Sequence, residues 1–219
     1  MSIALSIGNN LTTGGVFTAD AVNNTSVTNV TDFASVPGGG VLKLLSTQTA
    51  SASATIDFTS GIDSTYDSYV FKFINIHPAT NAVFFQFQSS TDGGSSYGVT
   101  TTNTAFRTRH DENDGSAILG YIATDDLAQS TNFINISIGG SLGNGSDESE
   151  SGTLQIFNPS STTFVKHYIS TTNFYHASDR SINAYTSGYF NTTSAINAIQ
   201  FKMSSGNIDD GIIKMYGVV

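Results

Sequence analysis

The chain has 219 residues, of which 8 are Lys or Arg and 17 are Asp or Glu, and its net charge is −9. Because nucleic-acid affinity comes mainly from basic side chains, this balance argues against a nucleic-acid partner. The sequence has no cysteine, which excludes disulfide bonds, thiolate metal ligands and a cysteine nucleophile. No apolar run approaches the length needed for membrane insertion.

The first forty residues differ in composition from the rest of the chain. Residues 1–40 are mostly small and polar, with scattered apolar residues, and they end in the cluster Pro37, Gly38, Gly39 and Gly40. Such a cluster is typical of a linker, and a segment of this kind becomes ordered only against another surface. We therefore predict an extended N-terminal arm with a Gly-rich linker over residues 1–40.

From Val41 onward, short segments in which apolar and polar residues alternate follow one another, separated by Gly, Asn, Ser and Asp. No stretch combines helical spacing with helix caps. Ten to twelve short strands at near-regular spacing predict an all-β fold over residues 41–219, an antiparallel β-sandwich of the jelly-roll kind. The predicted strands include VLKLLS, SASATIDF, NFINISIG, GTLQIFN, TFVKHYIS and NAYTSGYF.

Two strand pairings are also predicted from the sequence. DSYVFKFINI and AVFFQFQSS carry apolar residues on both faces, so we expect them to lie at the centre of the fold and to pair with each other. The closing segment FKMSSGNIDDGIIKMYGVV has two alternating stretches around Gly206 and Gly211. This pattern predicts a β-hairpin at the end of the chain.

Several phrases, taken together, resemble a family of uncharacterised β-rich virion proteins of tailed bacteriophages from marine and freshwater environments. They are SSTDGGSSYGV, GNGSDESESGTLQIFNPSSTTFVKHYIS, GYFNTTSAINAIQFKMSSGNIDDGIIKMYGV and STYDSYVFKFINIHPATNAVFFQF. The resemblance covers about residues 41–219 and leaves the arm outside. It implies a structural role in a virus particle, with other virion proteins as partners, and it carries no catalytic residue.

Three functions are open at this point. The first is a tail fibre or other host-contacting appendage that assembles through its arm and binds a cell-surface glycan or protein. For this function we expect a homo-oligomer, with a trimer favoured. The second is a capsid decoration or cement protein that stabilises the head lattice. The third, with the lowest weight, is a polysaccharide-degrading tailspike enzyme, which needs two carboxylates facing one cleft. We expect a non-enzymatic protein on the surface of the virion.

Aromatic residues concentrate in the segment TTNFYHASDRSINAYTSGYF, among Ser, Thr and Asn. Aromatic rings offer flat surfaces for sugars or proteins, and the polar neighbours supply hydrogen bonds. The candidate ligand or subunit contacts are Phe174, Tyr175, His176, Tyr185 and Tyr189. The alternative interpretation is that half of these rings fill the core.

An acidic segment, HDENDGS, has the oxygen-rich composition of calcium loops. It departs from that pattern, because the twelfth position counted from Asp111 is Ile122 and not Glu. A solvated acidic turn is therefore the preferred interpretation. We predict no catalytic, metal-binding or cofactor-binding residue.

Overall fold

The computed structural model describes residues 41–219. Buried side chains alternate with more exposed ones along its longest strands. The predicted arm, residues 1–40, lies outside the described residues. Residues 41–219 contain one short 3-10 helix, Ala123–Asp125, and no helix that is long and apolar enough to cross a membrane. Its twelve strands are β1 Leu42–Thr49, β2 Ile56–Phe58, β3 Ser68–Pro78, β4 Phe85–Ser90, β5 Thr101–Asp111, β6 Ala117–Tyr121, β7 Ile134–Asn135, β8 Glu150–Phe157, β9 Lys166–His176, β10 Arg180–Phe190, β11 Ala198–Met203 and β12 Ile208–Val218.

These strands form two antiparallel sheets. The larger has the order β1-β12-β3-β8-β9-β10-β5-β6, and the smaller has the order β2-β11-β4-β7. Eight of the strands follow the path of a jelly roll, a long hairpin rolled over on itself, because β1 pairs with β12, β2 with β11, β3 with β8 and β4 with β7. The predicted antiparallel, jelly-roll-like sandwich is confirmed.

Four strands lie beyond this eight-stranded part. The hairpin β5–β6 is inserted between β4 and β7, and β9 and β10 lie between β8 and β11 in the chain. All four add to the same edge of the larger sheet, next to β8. We call these strands, β9, β10, β5 and β6, the extension.

The hydrophobic core is an aromatic cluster between the two sheets. Phe201 of β11 lies at its centre, with ring centroids 5.4 and 5.3 Å from those of Phe71 and Phe73 in the opposite sheet. Phe85 of β4 stacks on Phe201 at 5.7 Å, and Phe58 meets it edge-on at 6.1 Å. Because alternate residues of a strand point to the same face, the period-two pattern delivers all of these rings to the space between the sheets.

The two predicted pairings are wrong. Strands β11 and β12 do not form a hairpin, because β11 pairs with β2 and β4 while β12 pairs with β1 and β3 in the other sheet. Strands β3 and β4 are also in different sheets, although both are flanked by strands on each side, as expected of central strands. They meet face to face across the core, where the rings of Phe73 and Phe85 lie 5.1 Å apart.

Glu150 and Lys166 are buried in the fold with no exposed surface. The carboxylate of Glu150 accepts a hydrogen bond from the hydroxyl of Ser137, and its second oxygen, Oε1, has no hydrogen-bond partner among the described residues. Burial raises the pKa of Glu150 to about 7. The ammonium group of Lys166 donates hydrogen bonds to the backbone carbonyls of Thr192, at 3.0 Å, and Ser194, at 2.7 Å.

Candidate binding face

The extension has one face that packs on the rest of the protein and one that is open. On the inner face, the side chains of Tyr168, Phe174, Ile182 and Ala184 are buried. On the outer face, no side chain is fully buried, because successive residues of a strand alternate between the two sides. We call this outer surface the aromatic face; its residues are His167, Ile169, Thr171, Asn173, Tyr175, Ser181, Asn183, Tyr185, Ser187, Tyr189, Thr102, Thr104, Phe106, Thr108, His110, Ala117, Leu119 and Tyr121.

A row of rings crosses the aromatic face at right angles to the strands. The register places Tyr185 of β10 opposite Phe106 of β5, and Phe106 opposite Tyr121 of β6. Phe106 and Tyr185 stack with ring centroids 4.6 Å apart and an interplanar angle of 7°. Phe106 is 45 % exposed and Tyr121 is 63 % exposed, so the row presents a large apolar area to solvent.

A shallow groove of about 500 Å³ lies beside this row, over the first residues of β5 and β9 and the last residues of β10. Its walls include Tyr189 and His167, whose rings lie 6.0 Å apart edge-to-face. Ile169 is exposed on the same side, and the small side chain of Ser187 leaves the floor open. The groove therefore combines apolar walls with hydroxyl groups, and its size is in the range of small-ligand pockets.

The strand residues of the aromatic face include no Asp, Glu, Lys or Arg, although the whole chain has a net charge of −9. The nearest charge to the row of rings is the carboxylate of Asp126, which accepts a hydrogen bond from the hydroxyl of Tyr121. Its polar atoms are hydroxyl, amide and imidazole groups. One of them fixes a ring, because the amide nitrogen of Asn183 donates a 2.6 Å hydrogen bond to the hydroxyl of Tyr185. Around Tyr185, Phe106 and Tyr189, such a surface offers stacking and directional hydrogen bonds without the desolvation of a charge.

The five residues that the sequence proposed as contacts do not share one surface. Tyr185 and Tyr189 lie on the aromatic face. Phe174 does not, because its ring is only 1 % exposed and belongs to the core, so its prediction as a surface contact is corrected. Neighbouring residues of a strand point to opposite faces of the sheet, so Phe174 is buried while Tyr175 is partly exposed.

Tyr175 lies at the end of the aromatic face, beside the acidic turn after β5. The carboxylate of Glu112 raises the pKa of Tyr175 to about 12, with smaller contributions from Asp179 and Asp147. The turn that the sequence predicted to be solvated is exposed from Glu112 to Gly115. Asp111, the residue before it, lies instead between two guanidinium groups, with Oδ1 3.2 Å from Nε of Arg109 and 3.1 Å from Nε of Arg180.

His176 points away from the aromatic face. Its Nδ1 accepts a 3.0 Å hydrogen bond from the backbone N–H of Ser178. Burial lowers the pKa of His176, and the nearby charges of Arg180, Arg107 and Arg109 lower it further. Within residues 41–219, no group of three or more His or carboxylate side chains converges on a point where a metal ion would fit.

Sequence reasoning missed much of the aromatic face. Phe106, Tyr121, Leu119 and Ile169 are as exposed as the predicted tyrosines or more so, yet they lie in three different strands. Each one is an apolar or aromatic residue within a strand, where a buried position is the usual expectation. Only the strand order β9-β10-β5-β6 brings them to one surface.

The chain matches no protein-family model, no curated protein and no solved structure in the comparisons made. The class of the protein is therefore defined by its structure: it is a jelly-roll β-sandwich with an aromatic face on an extended sheet.

Proposed function

We propose that this protein is a structural component of a tailed-phage virion, a tail fibre or other host-contacting appendage that binds a cell-surface glycan through its aromatic face. The observation that carries the glycan proposal is the row Tyr185, Phe106 and Tyr121 beside a mostly apolar groove that also contains hydroxyl groups. The virion assignment rests on the resemblance of residues 41–219 to tailed-phage virion proteins.

The chemistry of the aromatic face suits a neutral saccharide. A sugar ring has an apolar face of C–H groups and a rim of hydroxyl groups. The exposed rings of Tyr121 and Tyr189 offer surface for the C–H groups, while Asn173, Thr104 and Ser187 offer partners for the hydroxyl groups. A single weak contact of this kind becomes effective when many copies are displayed on one particle.

We propose binding and not cleavage for this face. Glycoside hydrolysis uses two carboxylic acids on either side of the scissile bond, and the aromatic face has none. Incubation of the full-length protein with polysaccharide from a host envelope should therefore release no oligosaccharide. Release of reducing ends at a rate that scales with protein concentration would support the tailspike enzyme instead.

The binding proposal is tested with Phe106→Ala. The full-length variant should bind the glycans that the unmodified protein retains on a glycan array about fivefold or more weakly, since each stacked aromatic ring contributes about 1 kcal/mol or more. Leu44→Ala is the matched control, because Leu44 is an exposed apolar residue on β1, at the opposite edge of the same sheet. Equal binding by both variants, each folded by circular dichroism, would remove the face from the proposal.

The virion proposal is tested by immunogold labelling of purified particles with an antibody against this chain. Label on the tail is the expected result. Label on the head surface would favour the decoration protein, in which the sandwich stabilises the capsid lattice. Particles without label, from a lysate in which the antibody detects the free chain, would overturn both virion roles.

A further inference from the structure

Strand β6 is an edge strand with unusual exposure on both sides. Leu119 is 72 % exposed on the aromatic face, and Ile118 is exposed on the opposite face of the same strand. The strand reads AILGY and contains no charged residue and no proline. An uncharged apolar edge is a template for pairing with another strand, and proteins ordinarily block such edges.

The direction of the backbone groups of β6 follows from its pairing with β5. Ile122 donates to the carbonyl of Ala105, and Asp111 donates to the carbonyl of Ser116, which fixes the phase of the ladder. In an antiparallel pair the hydrogen-bonded positions recur at every second residue, so the backbone N–H and C=O groups of Ile118 and Gly120 point toward β5. The N–H and C=O groups of Ala117, Leu119 and Tyr121 therefore point to the free edge, where no described residue pairs with them.

The other three edges of the described sheets are less suited to pairing. β2 has three residues and β7 has two, so neither offers a ladder of useful length. β1 carries Lys43, and its register shifts between Leu44 and Ser46. A charge and a bulge are two of the devices by which edges avoid pairing, and β6 has neither.

We propose that β6 pairs with β6 of a second copy of this chain, antiparallel, about a two-fold axis at Leu119. In this register Leu119 lies opposite Leu119 of the other copy, and Ala117 lies opposite Tyr121 in both directions. The three residues with free backbone groups form hydrogen-bonded pairs, so the arrangement satisfies all of those groups at once. The partner is a second copy because the segment is self-complementary about its own centre.

This pairing joins the two larger sheets into one continuous sheet. Because the two-fold axis is perpendicular to the sheet, both aromatic faces lie on the same side of the dimer. The symmetry predicts an even number of copies, in contrast to the trimer expected for a tail fibre. The inference rests on the β6 edge alone and does not depend on glycan binding or on a place in the virion.

A single introduced cysteine tests the register, because the natural chain has none. Hydrogen-bonded antiparallel partners have Cα atoms about 5.5 Å apart, which is within the range of a disulfide. Full-length Leu119→Cys should form a covalent dimer under mild oxidation at least about tenfold faster than Leu44→Cys, through the higher effective concentration of paired thiols. Equal rates for the two variants would overturn the proposal, as would a protein that stays monomeric because another segment occupies the edge.

A charge-swap experiment tests the two-fold axis itself. Leu119→Lys and Leu119→Glu each place like charges opposite each other, so each should raise the dissociation constant of the dimer at least about tenfold in sedimentation experiments. An equimolar mixture of the two variants should recover the dimer, because Lys then faces Glu. Variants that remain dimeric, or a mixture that remains monomeric while both variants are folded by circular dichroism, would show that β6 does not pair with itself.

Discussion

The rings of Phe106 and Tyr185 are in stacked contact on the solvent side of the larger sheet, 4.6 Å apart, although they belong to strands that are far apart in the chain. The contact joins β5 to β10 where no core residue covers them. A stacked pair of aromatic side chains contributes more than the area it buries, because the rings fix each other's orientation. The aromatic face is therefore an ordered surface before any ligand arrives.

This stack should be measurable as a coupling energy. In a double-mutant cycle of Phe106→Ala and Tyr185→Ala, we expect the two losses of unfolding free energy to be non-additive by about 0.5 to 1 kcal/mol. Urea denaturation of the four proteins gives the number. A control cycle of Phe106→Ala with Leu44→Ala should be additive, and a stack that contributes nothing would give additivity in both cycles.

Glu150 should make stability fall as the pH rises. Its pKa is raised from an ordinary 4.5 to about 7 in the fold, so the folded state holds the proton more tightly than the unfolded state. The associated stability is fully present below pH 4.5 and is lost as the pH rises through about 7. The loss amounts to about 3 kcal/mol by linkage.

The variant Glu150→Gln isolates this effect, since its amide has nearly the same shape and does not titrate. We expect the difference in unfolding free energy between the variant and the natural protein to shift in favour of the variant between pH 5 and pH 8. Chemical denaturation at both pH values measures it. A difference that stays constant across this range would mean that Glu150 does not titrate there.

Phe201 should be the most costly single ring to remove from the core, because it contacts rings of both sheets. We expect Phe201→Ala to lower the unfolding free energy by about 3 to 5 kcal/mol. Phe164→Ala is a matched control, as Phe164 is 70 % exposed, and it should change stability by less than about 0.5 kcal/mol. Similar losses in the two variants would contradict the assignment of Phe201 to the centre of the core.

Gly188 should tolerate no side chain. A Cβ atom there would lie 2.6 Å from the hydroxyl of buried Tyr168 and would also collide with the backbone carbonyl of Thr102. We expect Gly188→Ala to lower the unfolding free energy by about 1 to 3 kcal/mol, through overpacking. Gly120→Ala on β6 meets no atom within 4 Å and should be neutral or stabilising in the same thermal or chemical denaturation experiment.

Salt should strengthen the β6 dimer. In the proposed dimer, the two-fold register brings the acidic turn of one copy, with Glu112 and Asp114, toward Asp126 of the other. Raising the ionic strength from about 20 to about 500 mM screens this repulsion and should lower the dissociation constant in sedimentation experiments. Asp114→Asn should reduce the salt dependence, and a dimer that weakens with salt would contradict this register.

The positions of the strands could be predicted from the sequence because a half-buried strand needs an apolar residue at every second position. The pairing of the strands could not be predicted from the sequence. The alternation around Gly206 and Gly211 is the same whether β11 and β12 pair with each other or lie in opposite sheets. In a jelly roll many strands that follow each other in the chain are in different sheets, so a hairpin inferred from proximity in sequence fails.

The candidate site shows the same limit. Tyr185 and Tyr189 were predicted because aromatic residues are dense in their segment, and Phe174 was included for the same reason although strand alternation places it opposite Tyr175. Phe106 and Tyr121 carry no local signal, because an exposed ring and a core ring look alike in an alternating strand. That any of these residues contacts a ligand stays a prediction.

The insertion of the extension at one edge has a consequence for how such a protein can diversify. The Phe201 cluster lies between the sheets, among strands of the eight-stranded jelly roll, whereas the outward side chains of β5, β6, β9 and β10 contribute nothing to it. Those outward positions can therefore change one by one at little cost in folding. If the face binds a host glycan as proposed, its specificity can change while the scaffold that carries it is kept.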